Sequence, residues 1–219
     1  MKKIIFLFII MLIFLASPSP ALAESEAEWY RLLNNSTSID GPTGLFNIPS
    51  TPAVPPGTYS MGIHRYKFKY NAGLIRGLEA GLMFNADEVE DFNRESLKKI
   101  VFNAKYNILP EEDYNFGLSI GVMNREVYAV ASRYFPGFFH FALHPGIKYT
   151  RDHKIKGFAG ISKLNWKVLF ITDVNNNSYS FGMRVLLHKK LNLDVSLIKL
   201  EDIRKFGFDN IIFGINFAE

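Results

Sequence analysis

The sequence predicts an all-β chain closed as an antiparallel up-and-down β-barrel, membrane-embedded and about 10–12 strands around. Three observations carry this. Apolar and polar residues alternate with a period of two over most of the chain from Thr58 onward. The polar positions of those runs are small, chiefly Gly, Ser, Asn and Ala, as a narrow lumen requires. The apolar positions are rich in Phe and Tyr, of which the chain has 20 and 10, as an aromatic girdle at a membrane surface requires.

Residues 1–23 read as a cleavable export signal. Lys2 and Lys3 give a positive start, and Ile4 to Ala16 is an apolar run of thirteen residues. That is short of the roughly 18–20 residues of a spanning helix. Ser17 to Pro20 breaks any helix, and Ala21-Leu22-Ala23 has the small-x-small form of a signal-peptidase site. An uncleaved inner-membrane anchor is the alternative reading. Removing 23 of 219 residues leaves 196, ample for one domain, and takes the formal charge from +4 to +2. Charges standing singly in a near-neutral chain do not suit nucleic acid, which selects a concentrated basic face. Cysteine is absent, so neither a disulfide nor a lipid-bearing cysteine is available. A closed barrel in lipid needs no such staple, because every backbone group pairs around the ring.

Residues 24–57 form an N-terminal segment, and 58–219 the barrel. Glu24 to Asp40 is polar, with a short helix expected around Glu26 to Leu33. Gly41 to Gly57 contains five prolines, which exclude both a helix and a central strand. It is expected as a loop leading into the first hairpin.

The strands follow in order. Tyr59 to Tyr70 alternates, but its apolar residues change face midway, as a bulge near Gly62 would cause. Lys99 to Ile108 sets Ile100, Phe102, Ala104, Tyr106 and Ile108 against Val101, Asn103, Lys105 and Asn107. Tyr114 to Val122, Ser178 to Leu187, Leu191 to Leu200 and Asn210 to Phe217 repeat the pattern. Arg133 to Tyr149 is ambiguous around Pro136 and Pro145. Turn residues separate the runs, among them Pro110 to Asp113, Asn124-Arg125, Arg151-Asp152 and Asn175 to Asn177. A β-sandwich with a shared apolar core has the same period, so a soluble exported sandwich binding glycan through its aromatics is the rival fold. A solvated face would carry large charged side chains, and the small inner residues here favour the barrel.

Gly44-Leu45-Phe46-Asn47-Ile48-Pro49-Ser50-Thr51-Pro52-Ala53, followed by Pro56-Gly57 and the Gly62 strand, resembles the opening motif of YjbH-like outer-membrane β-barrel proteins. Within it Gly44, Pro49, Thr51, Ala53 and Gly57 carry the likeness. Gly77 to Gly81 resembles that family's second strand, Lys105 to Glu111 its third strand and acidic turn, and Asn177 to Arg184 a late glycine-containing strand. Pro52, standing between Thr51 and Ala53, departs from the pattern, as does an end on Phe217-Ala218-Glu219 in place of a terminal aromatic. The resemblance implies an outer-membrane location, assembly by the barrel-assembly machinery, and an association with exopolysaccharide production or polysaccharide-export components. It implies no catalytic residue.

The chemistry-bearing residues give no enzyme signature, cofactor motif or metal set. Gly117-Leu118-Ser119-Ile120-Gly121 has the form of a nucleophile elbow, which requires a strand-to-helix turn; here it lies within an alternating strand. His140 and His144 stand about 13 Å apart along an extended strand, too far to share a zinc. A lipid-modifying barrel enzyme is a further alternative, with His64 or His140 as base and no evident partner. The acidic run Asp87, Glu88, Glu90, Asp91 and Glu95 is expected as a solvated external loop. Glu79, Asp173, Arg184 and Asp194 are the candidate lumen charges, expected to pair across the interior.

Overall fold

The computed structural model describes Tyr30 and residues 33–86, 100–135, 141–201 and 207–219. The export signal, most of the expected helix at Glu26 to Leu33, the acidic run Asp87 to Glu95, Pro136-Gly137 and His140 lie outside the described residues.

Thirteen strand segments form one sheet: β1 (Tyr59–His64), β2 (Lys67–Ile75), β3 (Leu78–Asn85), β4 (Val101–Leu109), β5 (Gly117–Met123), β6 (Glu126–Phe135), β7 (Phe141–Leu143), β8 (Gly146–Tyr149), β9 (Ile155–Asn165), β10 (Val168–Asn175), β11 (Ser178–His188), β12 (Leu191–Leu197) and β13 (Ile211–Ala218). β7 and β8 are two halves of one strand. Both lie between β6 and β9, and the break falls at His144-Pro145, where proline cannot donate to the ladder. The ring therefore has twelve strands. Each pairs antiparallel with its sequence neighbours, β13 pairs β1, and no edge is left open. A sandwich has edges; this fold is a closed barrel.

The side-chain distribution is inverted relative to a soluble protein. The inward positions of β11 and β12 read Ser180, Gly182, Arg184, Leu186 and Asn192, Asp194, Ser196, all but the glycine and leucine polar and all of them buried. The outward positions of β13 are Ile211, Phe213, Ile215 and Phe217, with Ile215 53% exposed. Phe102 and Ile155, also outward, are 71% and 74% exposed. Water makes such a surface costly, and an acyl-chain environment removes that cost. The alternation and the inversion together define a membrane β-barrel.

Two sequence expectations change. Tyr59 to Tyr70 is not one bulged strand but the β1–β2 hairpin, with Arg65-Tyr66 as its turn and Arg65 in the left-handed region at φ 57°. The face switch is the chain reversing. Tyr114 belongs to a helical turn, α1 (Glu111–Tyr114), closed by Asn115 at φ 59°, so the following strand begins only at Gly117. The Asn124-Arg125 and Asn176-Asn177 turns have positive φ at both residues, the geometry whose twist matches paired strands.

The connections differ between the two rims. Tyr59 and Ala218 lie at one rim with the turns at Arg76-Gly77, Trp166-Lys167 and Lys189-Lys190. There Lys190 hydrogen-bonds Glu219 and, with its charge, holds that carboxyl below its ordinary value. The two longest connections, from Asn85 to Val101 and from Leu197 to Ile211, leave and rejoin the sheet at the other rim. If the exterior faces acyl chains, placing a charge mid-strand should be costly. Ile215→Arg should lower stability by about 2–4 kcal/mol, measured by denaturant titration of protein folded into phosphocholine vesicles. An exposed residue on a water-facing sheet would tolerate the change.

Candidate functional site

A ring of twelve strands leaves more interior than its inward side chains fill, and residues 33–51 occupy it. Leu33, Leu45, Phe46 and Ile48 are fully buried there, as are Ser36, Thr37, Thr43 and Ser50. The segment is too rich in proline and glycine to form its own helix or ladder, so its backbone polar groups need partners from the wall. It bonds with itself at the bridges Thr37–Thr43 and Gly44–Pro49 and through backbone bonds such as the Ile39 amide to the Phe46 carbonyl at 2.7 Å and the Leu45 amide to the Ile48 carbonyl at 3.0 Å. The wall supplies most of the rest.

Three wall carboxylates hold it. Glu79 on β3 accepts from the Thr43 amide at 3.0 Å, the Thr43 hydroxyl at 2.6 Å and the Val54 amide at 3.0 Å, with Lys105 Nζ 3.4 Å away. Asp173 on β10 accepts from the amides of Phe46 and Asn47 at 3.1 and 3.0 Å, and from the Ser180 hydroxyl. Asp194 on β12 takes a two-pronged contact from Arg184, Nε to Oδ1 at 2.9 Å and Nη2 to Oδ2 at 3.0 Å, and is bonded besides by Asn216 and His64. Arg184 spends its remaining donors on the segment, giving to the carbonyls of Leu33 at 2.6 Å, Gly44 at 3.0 Å and Thr37 at 3.4 Å. The four residues marked as lumen charges in the sequence thus all sit on the inner wall. Arg184 and Asp194 pair directly, whereas Glu79 and Asp173 stand apart from them and bind the segment separately.

Several partners carried no charge signal or were hidden by the misread hairpin. With β1 and β2 as separate strands, His64, Lys67, Lys69 and Asn71 all face inward. His64 bridges Asp194 and Lys69, and Asn71 donates to the Gly41 carbonyl at 2.8 Å. Lys105 donates to the Thr43 carbonyl at 3.0 Å. Thr37 donates to Asn216 at 2.7 Å, and Asn192 to Ser36 at 2.8 Å. The small polar residues of the inner face marked this role only collectively.

The residues that carry the resemblance noted in the sequence, Gly44, Pro49, Thr51, Ala53 and Gly57, fall within this segment and its exit. Gly44 and Pro49 bridge, Thr51 bonds Ser132 through its hydroxyl and accepts from Ser119 through its carbonyl at 2.7 Å, and Ala53 precedes the Glu79-bound Val54. Gly57 is at φ 76° and donates to the Gly73 carbonyl at 3.0 Å. Gly73 in turn has the backbone of Val54 and Pro55 where a Cβ would stand, and Gly160 has Leu45 and Ile48. Side chains at either wall position would displace the segment.

Ser119, central in the elbow-like motif, lies inside β5 with its hydroxyl given to Thr51. His144, where β7 breaks to β8, has Nε2 3.0 Å from the Ser162 hydroxyl, and both are buried inside the ring. His153 contacts Tyr149 at the far rim. Among the described residues no cluster of three or more His, Cys, Asp or Glu residues has metal-binding geometry. The arrangement holds a peptide segment in a polar tube, through Glu79, Lys105, Asp173 and Arg184 above all.

No protein-family model and no curated protein matches the chain. Among solved structures, two substituted forms of a porin from Rh. blastica are similar, with TM-scores of 0.38 and 0.37 and identities of 11% and 10%. Each alignment covers 70% of this chain and 55% of the porin, so the chain spans little more than half of the porin's length. The assignment to a closed barrel rests on the strand pairing itself.

Removing one member of the central pair leaves the other buried and unpaired. Arg184→Met should therefore destabilise the folded barrel by about 3–5 kcal/mol. Adding Asp194→Leu should cost less than the two single changes summed, since the double variant strands no charge at that position. Denaturant titration of the four proteins in vesicles measures both.

Proposed function

We propose that this protein is an outer-membrane β-barrel with a structural or accessory role in the cell envelope, not an enzyme, and that its lumen is shut by its own N-terminal segment. The filled lumen carries this reading. Residues 33–51 are bonded to β2, β3, β4, β5, β6, β10, β11, β12 and β13, so wall groups on nine strands that would otherwise face a water path are bonded to peptide. A passive pore needs those groups free to face water. The export signal in the sequence supports passage to the envelope. The shorter connections at the rim holding the barrel ends support setting that rim toward the periplasm.

The resemblance to YjbH-like proteins supports a place beside surface-polysaccharide production or export. The barrel-assembly machinery and polysaccharide-export components are the partners that reading requires. In a strain lacking the protein, extracellular polysaccharide assayed as total sugar should fall and recover on complementation. An unchanged level would remove the polysaccharide link without touching the barrel.

The shut lumen has its own test. The unmodified protein should give no steady single-channel conductance in a planar bilayer. Thr51 and Ser132 hydroxyls are in contact, so the Thr51→Cys/Ser132→Cys pair should form a disulfide tying the segment to β6, and the oxidised form should be equally silent. A steady open level from the unmodified protein would sink the proposal.

A further inference from the structure

Residues 24–219 carry a formal charge of only +2, yet one stretch of the rim is strongly basic. At the rim with the two longest connections, the Asn124-Arg125 turn and the 150–154 turn are neighbours, because β6 pairs with β8. Arg151 ties them together, donating from Nε to the Asn124 carbonyl at 2.8 Å and from Nη2 to the Asn124 side chain. Arg125, Lys148, Arg151, Lys154 and Lys156 gather there against Glu126 and Asp152, five cations to two carboxylates, so this arc alone carries +3. Lys148 and Lys156 stand directly opposite one another on β8 and β9, where like charges repel. Lys148 pairs with Glu126 at 3.0 Å, but Lys156 has only Asp152, 3.8 Å away and shared with Lys154 at 3.9 Å. Among the described residues no carboxylate pairs with Arg125 or Arg151. Elsewhere on the same rim the charges match one for one, Lys67 with Asp40 and Arg65 with Asp209.

We propose that this arc binds an acidic polysaccharide on the outer side of the membrane, through the carboxylates of its sugar units. The surface placement rests on the reading above that the rim holding the barrel ends faces the periplasm. The ligand class follows from what surrounds the cations. Lys148 and Lys156 point into the barrel mouth, while Ile147, Tyr149 and Ile155 alternate with them and are exposed on the outer face. A lipid headgroup would approach from that outer face and meet uncharged residues. A protein partner needs an apolar centre to bury, and the residues between the cations are Asn124, Thr150 and Asp152. The nearest inward aromatics, Tyr128 and Phe158, are buried and offer a nucleic-acid base no platform to stack on. Three of the five cations are lysines, which act as point charges, and Arg151 has given Nε and Nη2 to Asn124 in place of a phosphate. Such a set suits a flexible chain that brings one carboxylate with each sugar. A mouth lined by one sign of charge also concentrates a polyanion before it docks.

Titration calorimetry of the full chain, folded in zwitterionic detergent, reads the binding. Polygalacturonate oligomers should bind, and dextran, their uncharged counterpart, should not. An exposed ion pair is worth up to about fivefold, so Arg125→Gln/Lys154→Gln/Lys156→Gln should weaken polygalacturonate by about tenfold or more. The charge-keeping variant Arg125→Lys/Lys154→Arg/Lys156→Arg should bind as wild type does. So should Arg76→Gln/Lys189→Gln/Lys190→Gln, which removes as many cations from the opposite rim. Equal binding of dextran, no loss in the first Gln variant, or an equal loss in the opposite-rim variant overturns the site. Binding that appears only after Asp87, Glu88, Glu90, Asp91 and Glu95 are changed to Asn or Gln overturns it too, and gives the arc to the chain's own acidic run. The chain has no cysteine, so Lys154→Cys places a single thiol in the turn, and a membrane-impermeant maleimide should label it on intact cells. Absence of label withdraws the outward placement of this rim and the surface polysaccharide with it, whereas label without binding overturns the site alone.

Discussion

Ionised groups inside a narrow tube cannot be left to themselves, and the architecture depends on how they are matched. The Arg184–Asp194 contact is the centre of this matching. It satisfies a buried carboxylate with two parallel donors and leaves the guanidinium with donors to spare. Those go to three peptide carbonyls belonging to a segment with no regular structure. The ion pair thus fixes the interior segment, and the segment completes the ion pair's coordination. Glu79 and Asp173 repeat the scheme with backbone amides instead of carbonyls, so positive and negative wall groups together address both polarities of the peptide unit.

Lipid outside and peptide inside impose opposite demands on each strand, and the period of two meets both at once. That is why so much of the fold was legible. Every second residue of Leu191 to Leu197 is apolar and every other is Asn, Asp or Ser, and no other element type satisfies that row. The strand number came within reach for the same reason. The β1–β2 hairpin did not, because its turn is Arg65-Tyr66, two residues with no turn propensity. The left-handed geometry at Arg65 is set by the strands on either side rather than by local preference. The broken strand at His144-Pro145 was hidden by its proline, which reads as an end when the flanking strands in fact carry the pairing across it.

The lumen charges were legible as residues facing inward but not as a site. Glu79, Asp173, Arg184 and Asp194 stand on the polar side of alternating runs, which fixes their direction. What they bind was not legible, because the partner is a stretch whose prolines and glycines announce only what it cannot be. A loop leading into the barrel and a segment filling it have the same local sequence signal. The difference lies in pairings such as Thr37 with Asn216, 179 residues apart, which no local pattern contains. The inward glycines were a usable clue: Gly73 and Gly160 leave space against the wall that only another backbone or a side chain from elsewhere would need.

The interior segment also has a consequence for the order of events during folding. Its residues leave the ribosome before any strand, yet their partners span the chain from Asn71 to Asn216. Closing the ring first would shut out the segment, and bringing strands together without it would bury Glu79, Asp173 and Arg184 without their peptide partners. Residues 33–51 therefore act as a mandrel, around which the hairpins are laid before the final seam between β13 and β1 is sewn. Contacts of such length make this a slow, high-contact-order assembly, and they make the seam, not the first hairpin, the step that commits the molecule.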